Sequence, residues 1–324
     1  MAGFRKAKAE QAALKMALYG LAGSGKTFTS LMLAEGLAKI SGKRVAYIDT
    51  ERGTDFYCKS VPERSVHPEA FDFDALYTRS ITEIMSEVKA LSAKEYGVIV
   101  LDSITHVWEA AREAYAGRET KAGTIPIWAW AKIKKPYKEL ITYLLNSPMH
   151  VIMCGRQGNE YDEDEKTGDM KKVGTKMKAE GETAYEPHIL INMEAVRNKS
   201  GIAVITAFAE KDRTGILSGK VIENPGFDTL VKPLLPLLGG TQAQIEDVET
   251  TSRKDAEAIT DAEKKAIEES EIILASMSAK ITLCKTLDEL KAIGKEITPD
   301  LKKKMIKEDV ATLRECYTNK ESSL

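Results

Sequence analysis

Apolar and polar positions switch between two periods along the first 240 residues, and the switches outline the elements. Leu14, Met16, Leu18 and Tyr19 mark a short strand. After the turn-rich run GLAGSGKT, apolar Phe28, Leu31, Leu33, Leu37 and Ile40 fall at helical spacing over Thr27–Ile40. RVAYIDT, Arg44–Thr50, is a second strand. Asp55–Asp74 is mixed in character and predicts loops with an edge element. Leu76, Ile81, Ile84, Met85, Val88 and Leu91 then form one face of an amphipathic helix. YGVIVLDSI, Tyr96–Ile104, is almost wholly apolar, as a parallel strand buried on both faces must be. Val107–Tyr115 predicts a helix, Gly117–Gly123 a break, and Trp130–Leu145 a further helix interrupted or started near Pro136. HVIMCG, His150–Gly155, is another buried strand. The polar stretch Gly158–Thr183 predicts a loop or protruding hairpin. PHILINMEAV and GIAVITAFAE are two strands joined by a turn at Arg197–Ser200. Strands alternating with helices place residues 1–240 in the α/β class, with ligands expected at the carboxyl ends of the strands. Before the first strand, Phe4–Met16 is alanine-rich and basic-flanked, as a short helix against the core would be.

The pattern changes after Gly239-Gly240. Residues 241–280 read as an acidic helical linker; from Thr241 to Glu271 there are ten acidic residues against four basic. Residues 281–324 read as a small helical tail, with helices around Leu287–Ile293 and Leu301–Tyr317 split at Thr298-Pro299. A piece this small holds little core and is expected to dock on the main domain or recruit a partner. Lys plus Arg total 47 against 49 for Asp plus Glu in 324 residues, so there is no global pull towards nucleic acid, only local patches. Cys58, Cys154, Cys284 and Cys316 lie far apart with no CxxC pair, which points away from zinc or a disulfide framework; three of them adjoin apolar runs, as buried thiols do. No apolar leader segment opens the sequence and no run approaches eighteen apolar residues, so a cytoplasmic location without membrane association is expected.

The turn-rich run carries the clearest chemistry. Gly20-xxxx-Gly25-Lys26-Thr27 fits the GxxxxGK[ST] phosphate loop and sits between a strand and a helix, the context that loop requires. Gly20, Gly23 and Gly25 let the main chain approach an anion closely, and loop and helix N–H groups point at phosphate oxygens. Lys26 supplies a mobile charge for the outer phosphates, and Thr27 a hydroxyl for magnesium. Ser24 and Phe28 complete the candidate ATP contacts. Asp102, emerging from the apolar strand VIVLD, is the natural second magnesium partner. A carboxylate beyond VAYID can polarise the attacking water; spacing alone leaves Glu51, Asp49 and neither equally open.

GLAGSGKT, VAYIDTERG and VIVLDSI together resemble the RecA-like ATPase core. That resemblance implies Glu51 as the water-activating residue and Asp102 as the magnesium aspartate. More closely, GFRKAKAEQAALKMALYG, KVGTKMKAEGETAYEPHILINME and AEKDRTG look like the short RecA-like ATPases of bacteriophages associated with single-strand annealing and recombination. The similarity covers about residues 3 to 235. Leu21 departs from the proline expected in many relatives, ahead of the glycines that matter.

Lys211 and Arg213, one residue apart after an apolar strand, extend from one face of its end. By the resemblance, such a pair reaches a neighbouring subunit's γ-phosphate in a homo-oligomer. Arg156 or Gln157, after the strand HVIMCG, is implied as the γ-phosphate sensor, with Arg156 nearer the expected position. Two basic clusters stand out: WAWAKIKKPYK, Trp128–Lys138, with four lysines among Trp128, Trp130 and Tyr137, and Lys166–Lys178, with five lysines against one aspartate. Such charges and aromatics suit single-stranded DNA. The second cluster occupies the slot that contacts single-stranded DNA in RecA-like recombinases, favouring Lys171, Lys172, Lys176 and Lys178; the acidic run Asp162–Glu165 would have to turn outward. The implied protein is a Mg²⁺-dependent, DNA-linked ATPase in a bacterial host's cytoplasm, partnered by single-stranded DNA and by a phage or host single-strand binding or annealing protein. A DNA motor component and a nucleotide-gated scaffold are the alternatives.

Overall fold

The computed structural model describes residues 13–119, 125, 129–163, 170–197, 201–238 and 246–324. The chain divides into two compact units, Met1–Ala243 and Gln244–Leu324. The expectations at residues 1–12, at Trp128, Lys166 and Gly239-Gly240, and in the turn at 198–200 lie outside the described residues.

In the first unit, β1 (Lys15–Gly20), β2 (Arg44–Asp49), β3 (Asp74–Leu76), β4 (Tyr96–Asp102), β5 (His150–Glu163), β7 (Ile189–Arg197), β8 (Ala203–Asp212) and β9 (Val221–Glu223) form a sheet in the order β3-β2-β4-β5-β1-β7-β8-β9. Neighbours from β3 through β7 are parallel; β8 and β9 are antiparallel. The β6 strand (Met170–Met177) pairs only with the outer part of β5. The nearly unbroken apolar runs of the central strands follow from burial on both faces. On one face Leu14, Met16 and Leu18 pack with Leu31, Leu33 and Leu37 of α1 (Lys26–Ser41). On the other, Ala17 and Tyr19 share a core with α2 (Ile81–Ala90), α3 (Ile104–Glu119) and α4 (Trp130–Asn146).

Because β5 inserts between β1 and β4, four carboxyl ends stand side by side. The register sets Gly20 against Arg156, Cys154 against Asp102, and Asp102 against Asp49. The chain leaves β1 for β2 on one side of it and, after β5, adds β7 on the other, and open α/β sheets bind ligands at the carboxyl ends beside such a switch.

Several boundaries differ from the sequence pattern. Leu76 belongs to β3, and α2 starts only after Ser80, whose side chain accepts from the Glu83 N–H. The α3 helix begins earlier, at Ile104, and continues through Gly117. Pro136 does not break α4: it lies on the solvent face, where the carbonyl it leaves unbonded can be hydrated. The strand expected to stop at Gly155 runs on to Glu163, so the polar stretch is a hairpin of β5 and β6. Trp130 and Tyr137 face the second core, which removes both as base-stacking surfaces.

A buried lysine and a half-buried histidine link β1 to the neighbouring elements. Lys15 Nζ donates to the carbonyls of Leu144, Ser147 and Met149 at 3.1, 2.7 and 2.7 Å, satisfying the end of α4. The Leu14 N–H donates to His150 Nδ1 at 2.9 Å, which requires that nitrogen to be unprotonated. Burial, reinforced by Lys15 and Lys43, lowers the His150 imidazole from 6.5 to about 4. The unfolded chain therefore takes up this proton first as pH falls. Stability present above pH 6.5 should decline towards pH 4, by on the order of 3 kcal/mol for this group. In urea titrations, His150→Asn, which keeps an acceptor without a titration, should flatten the acid limb between pH 6.5 and 4.

A short helix, α5 (Phe227–Leu230), follows β9 in the first unit; the second unit is helical, with α6 (Glu246–Leu283), α7 (Leu287–Glu296), α8 (Pro299–Lys303) and α9 (Lys307–Ser323). From Glu246 onward, one continuous helix covers the stretch read as an acidic linker. Thr286 and Glu289 form a reciprocal cap at the start of α7. Met277, Ile281, Cys284, Leu290, Met305 and Leu313 form a small core within this unit.

Candidate functional site

The site grows from the end of β1. A Cβ on Gly20 would lie 2.1 Å from the Met193 carbonyl oxygen, so only glycine fits there. Gly25 adopts φ +83° and caps the start of α1, whose first turn carries no acidic residue. Its free N–H groups and the positive end of its dipole suit an anion. Lys26 Nζ donates to the Gly20 and Leu21 carbonyls at 3.0 and 2.8 Å and reaches the Ser24 hydroxyl at 3.4 Å. Burial lowers its pKa, partly offset by Asp102 and Glu51.

Thr27 and Asp102 meet at the loop's inner edge, where Thr27 Oγ1 donates to Asp102 Oδ2 at 2.5 Å and Tyr47 OH to the same oxygen at 2.9 Å. Burial raises the Asp102 pKa, and the two hydroxyl bonds work against that rise. A hydroxyl and one carboxylate oxygen are the hard donors that suit magnesium when it is held jointly with phosphates. Among the described residues no cluster of three or more His, Cys, Asp or Glu stands ready to hold a metal alone.

Asp49 and Glu51 are separated by their surroundings. Asp49 is 3% exposed. Its Oδ1 accepts from the Glu51 and Arg52 N–H groups at 2.8 and 2.7 Å, and its Oδ2 from the N–H and hydroxyl of Thr54 at 3.0 and 2.7 Å. Both of its oxygens serve to cap the turn after β2. That turn carries Glu51 into the cleft, where its Oε1 accepts from Arg156 Nη2 and Nε at 3.0 and 3.3 Å. The Arg156 backbone is held by Thr105 Oγ1, 2.9 Å from its N–H. Gln157 lines the same cleft, its buried Oε1 without a hydrogen-bond partner among the described residues.

Three neighbours escaped the sequence reading. His106 Nδ1 lies 2.9 Å from Thr50 Oγ1 and 3.5 Å from Glu51 Oε1. Burial and then Arg156 lower its pKa. Its position, four residues after Asp102 on α3, was the available signal. Tyr57, in a 3₁₀ turn at Thr54–Tyr57, forms a cleft wall with Phe28, their ring centroids 5.8 Å apart. The Arg64 guanidinium lies 5.6 Å from the Phe28 ring centroid and 5.3 Å from that of Tyr57. The cleft encloses about 570 Å³ and brings together Gly20, Gly23, Gly25, Lys26, Thr27, Phe28, Glu51, Asp102 and Arg156.

Lys211 and Arg213 are not brought to it. Lys211 pairs in register with Leu190, and the Arg213 N–H donates to the His188 carbonyl, whose own N–H donates to Lys15. The pair thus sits beside the first residue of β1, whereas the glycine loop follows the last. Five strand steps separate them, about 17 Å. Asp212 fixes the turn between them: Oδ1 accepts from Thr214 and Oδ2 from the Leu217 and Ser218 N–H groups. Lys211 Nζ donates to the Tyr185 carbonyl, while Arg213 is exposed with no ion-pair partner among the described residues.

The four hairpin lysines differ from one another. Lys178 Nζ is 2.7 Å from Glu109 of α3, and Lys176 Nζ 3.5 Å from Glu160. Lys171 and Lys172 are exposed on β6, beside exposed Tyr161, Met170 and Val173.

Comparison with known proteins places these features. Residues 12–207 match the family described as AAA domain. Among solved structures, a KaiC-like protein from the hyperthermophilic archaeon Pyrococcus horikoshii is similar at 15% identity and a TM-score of 0.43, over 68% of this chain and 94% of that one. No curated protein matches the sequence.

Proposed function

The chain belongs to the AAA-domain family, and from that premise we propose that this ATP-binding P-loop NTPase is a Mg²⁺-dependent, single-stranded-DNA-stimulated ATPase of phage recombination or strand annealing. It acts as a head-to-tail homo-oligomer. The observation that carries the ATPase part is the convergence of Lys26, the Thr27–Asp102 pair and Glu51 on one cleft. The DNA and phage parts rest on the sequence resemblance and on the hairpin lysines.

In this reading the loop N–H groups and Lys26 hold the β- and γ-phosphates, and the adenine lies against Phe28 and Tyr57. Thr27 and Asp102 would hold magnesium, which when bound neutralises charge developing on the transferred phosphoryl. Glu51 accepts a hydrogen bond from the attacking water and orients it in line. Arg156 now grips Glu51; a γ-phosphate entering the cleft competes for that guanidinium, so phosphate arrival and release of the base are coupled. Arg213, with Lys211, serves the adjoining subunit's cleft.

Turnover measured with no DNA, with poly(dT) and with duplex DNA tests this reading. Stimulation by poly(dT) alone is expected; equal rates in all three would remove the DNA function, and directional unwinding would favour a motor. For contact by the hairpin, Lys172→Ala is expected to weaken poly(dT) binding and shallow its log–log salt slope by up to about 0.7. Lys178→Ala should alter the slope less, because Glu109 already holds that ammonium. Identical slopes for wild type and Lys172→Ala would move the DNA path off β6.

A further inference from the structure

The helical unit Gln244–Leu324 contains a groove of about 860 Å³, separate in kind from the nucleotide cleft. Its volume lies within the roughly 300–1,000 Å³ of ligand-binding clefts. Ile297, Val310, Leu313 and Tyr317 supply an apolar floor. Four cations rim it: Lys291 and Lys295 from α7, Lys302 from α8 and Arg314 from α9. All four are exposed, none has an ion-pair partner among the described residues, and no carboxylate lines the groove. Three nearby acids are engaged elsewhere: Glu296 with Lys280, Asp300 with Lys303, and Asp309 with Ser270. Gly294 sets the width, since a Cβ there would lie 2.8 Å from Tyr317 OH.

Four uncompensated cations around one apolar trough form a surface complementary to negative charge with an apolar centre. We propose that this groove docks an acidic peptide segment of another protein, carrying an apolar anchor side chain between carboxylates. The anchor fills the floor over Leu313 and Val310, and carboxylates on either side meet the lysines and Arg314, Arg314 being capable of a bidentate bond. A nucleic-acid strand fits less well. It would match the charges, but it needs open aromatic faces for its bases, and the single ring here packs against Gly294.

The test uses the full-length chain and a fluorescein-labelled ten-residue peptide of aspartates around one phenylalanine and one leucine. Anisotropy is compared with the same peptide bearing asparagines for aspartates, and with labelled poly(dT). Expected are saturable binding of the acidic peptide that weakens with salt, at least tenfold weaker binding of the asparagine peptide, and at least tenfold loss in the Lys291→Glu/Lys295→Glu double variant. That variant should keep its poly(dT) affinity and its DNA-free ATP turnover, which also reports an intact first unit. Equal binding of the acidic peptide to wild type and variant would overturn the proposal, as would no binding at all. Loss of poly(dT) binding in the variant with no peptide effect would reassign the groove to nucleic acid. Val310→Thr, which makes the floor more polar without changing its charge, should independently weaken binding of the acidic peptide.

Discussion

Replacing Glu51 by glutamine is expected to lower the ATP turnover number by roughly 10²–10⁴-fold, the range for a positioned general base, while Mg-ATP affinity changes only a few-fold. Glutamine keeps the length and an acceptor oxygen for Arg156 but lacks the charge that draws a proton from water. Lys26, which holds the phosphates, and the Thr27–Asp102 pair, which would hold magnesium, are untouched. Single-turnover hydrolysis and nucleotide titration on the same preparation separate the two effects. A turnover number within threefold of wild type would return the role to another group, with His106, 3.5 Å from the same carboxylate, the first to examine. Asp49→Asn makes the contrast: with four donors on its two oxygens, that change should reduce stability rather than selectively reduce chemistry.

Arg213→Ala is expected to cost about 10³-fold in turnover, in line with the range for a cationic finger acting across an interface. The distance within one chain makes the prediction specific: Arg213 lies at the opposite end of β1 from the glycine loop and cannot serve its own cleft. An inactive Arg213→Ala subunit still has an intact loop, and a Lys26→Ala subunit still has an intact Arg213. Mixed oligomers of the two should recover activity, rising to a maximum near equal proportions. No recovery at any ratio, with both variants folded, would make the pair an ordinary surface feature.

How far the sequence could be read follows from how local each signal is. The glycine loop, its flanking strand and helix, and Asp102 were legible because a short run specifies each and apolar strands fix their ends. The hairpin of β7 and β8 was legible for the same reason. Leu76 was misassigned because its apolar spacing continues that of α2, and only the Ser80 cap marks the true start. Pro136 misled because propensity cannot tell which face of a helix meets water. Spacing alone could not tell Asp49 from Glu51, and only the resemblance pointed to Glu51, since the difference lies in four donors supplied by the following turn. His106 reaches the cleft only through strand order: β4 stands next to β2, so α3, which follows β4, meets the Thr50–Glu51 turn, while Tyr57 gets there by packing on Phe28. The groove in the C-terminal unit needs three helices at once, and no single stretch announces it.

The proposed function requires that one cleft bind Mg-ATP through Lys26 and hydrolyse it with the carboxylates at the neighbouring strand ends. Phosphate release from saturating Mg-ATP by the purified chain, compared with Lys26→Ala, tests it most directly. The predicted result is steady turnover that EDTA abolishes and that falls to background in Lys26→Ala. A folded wild-type chain that releases no phosphate, or a Lys26→Ala chain that releases it at the wild-type rate, would contradict the claim.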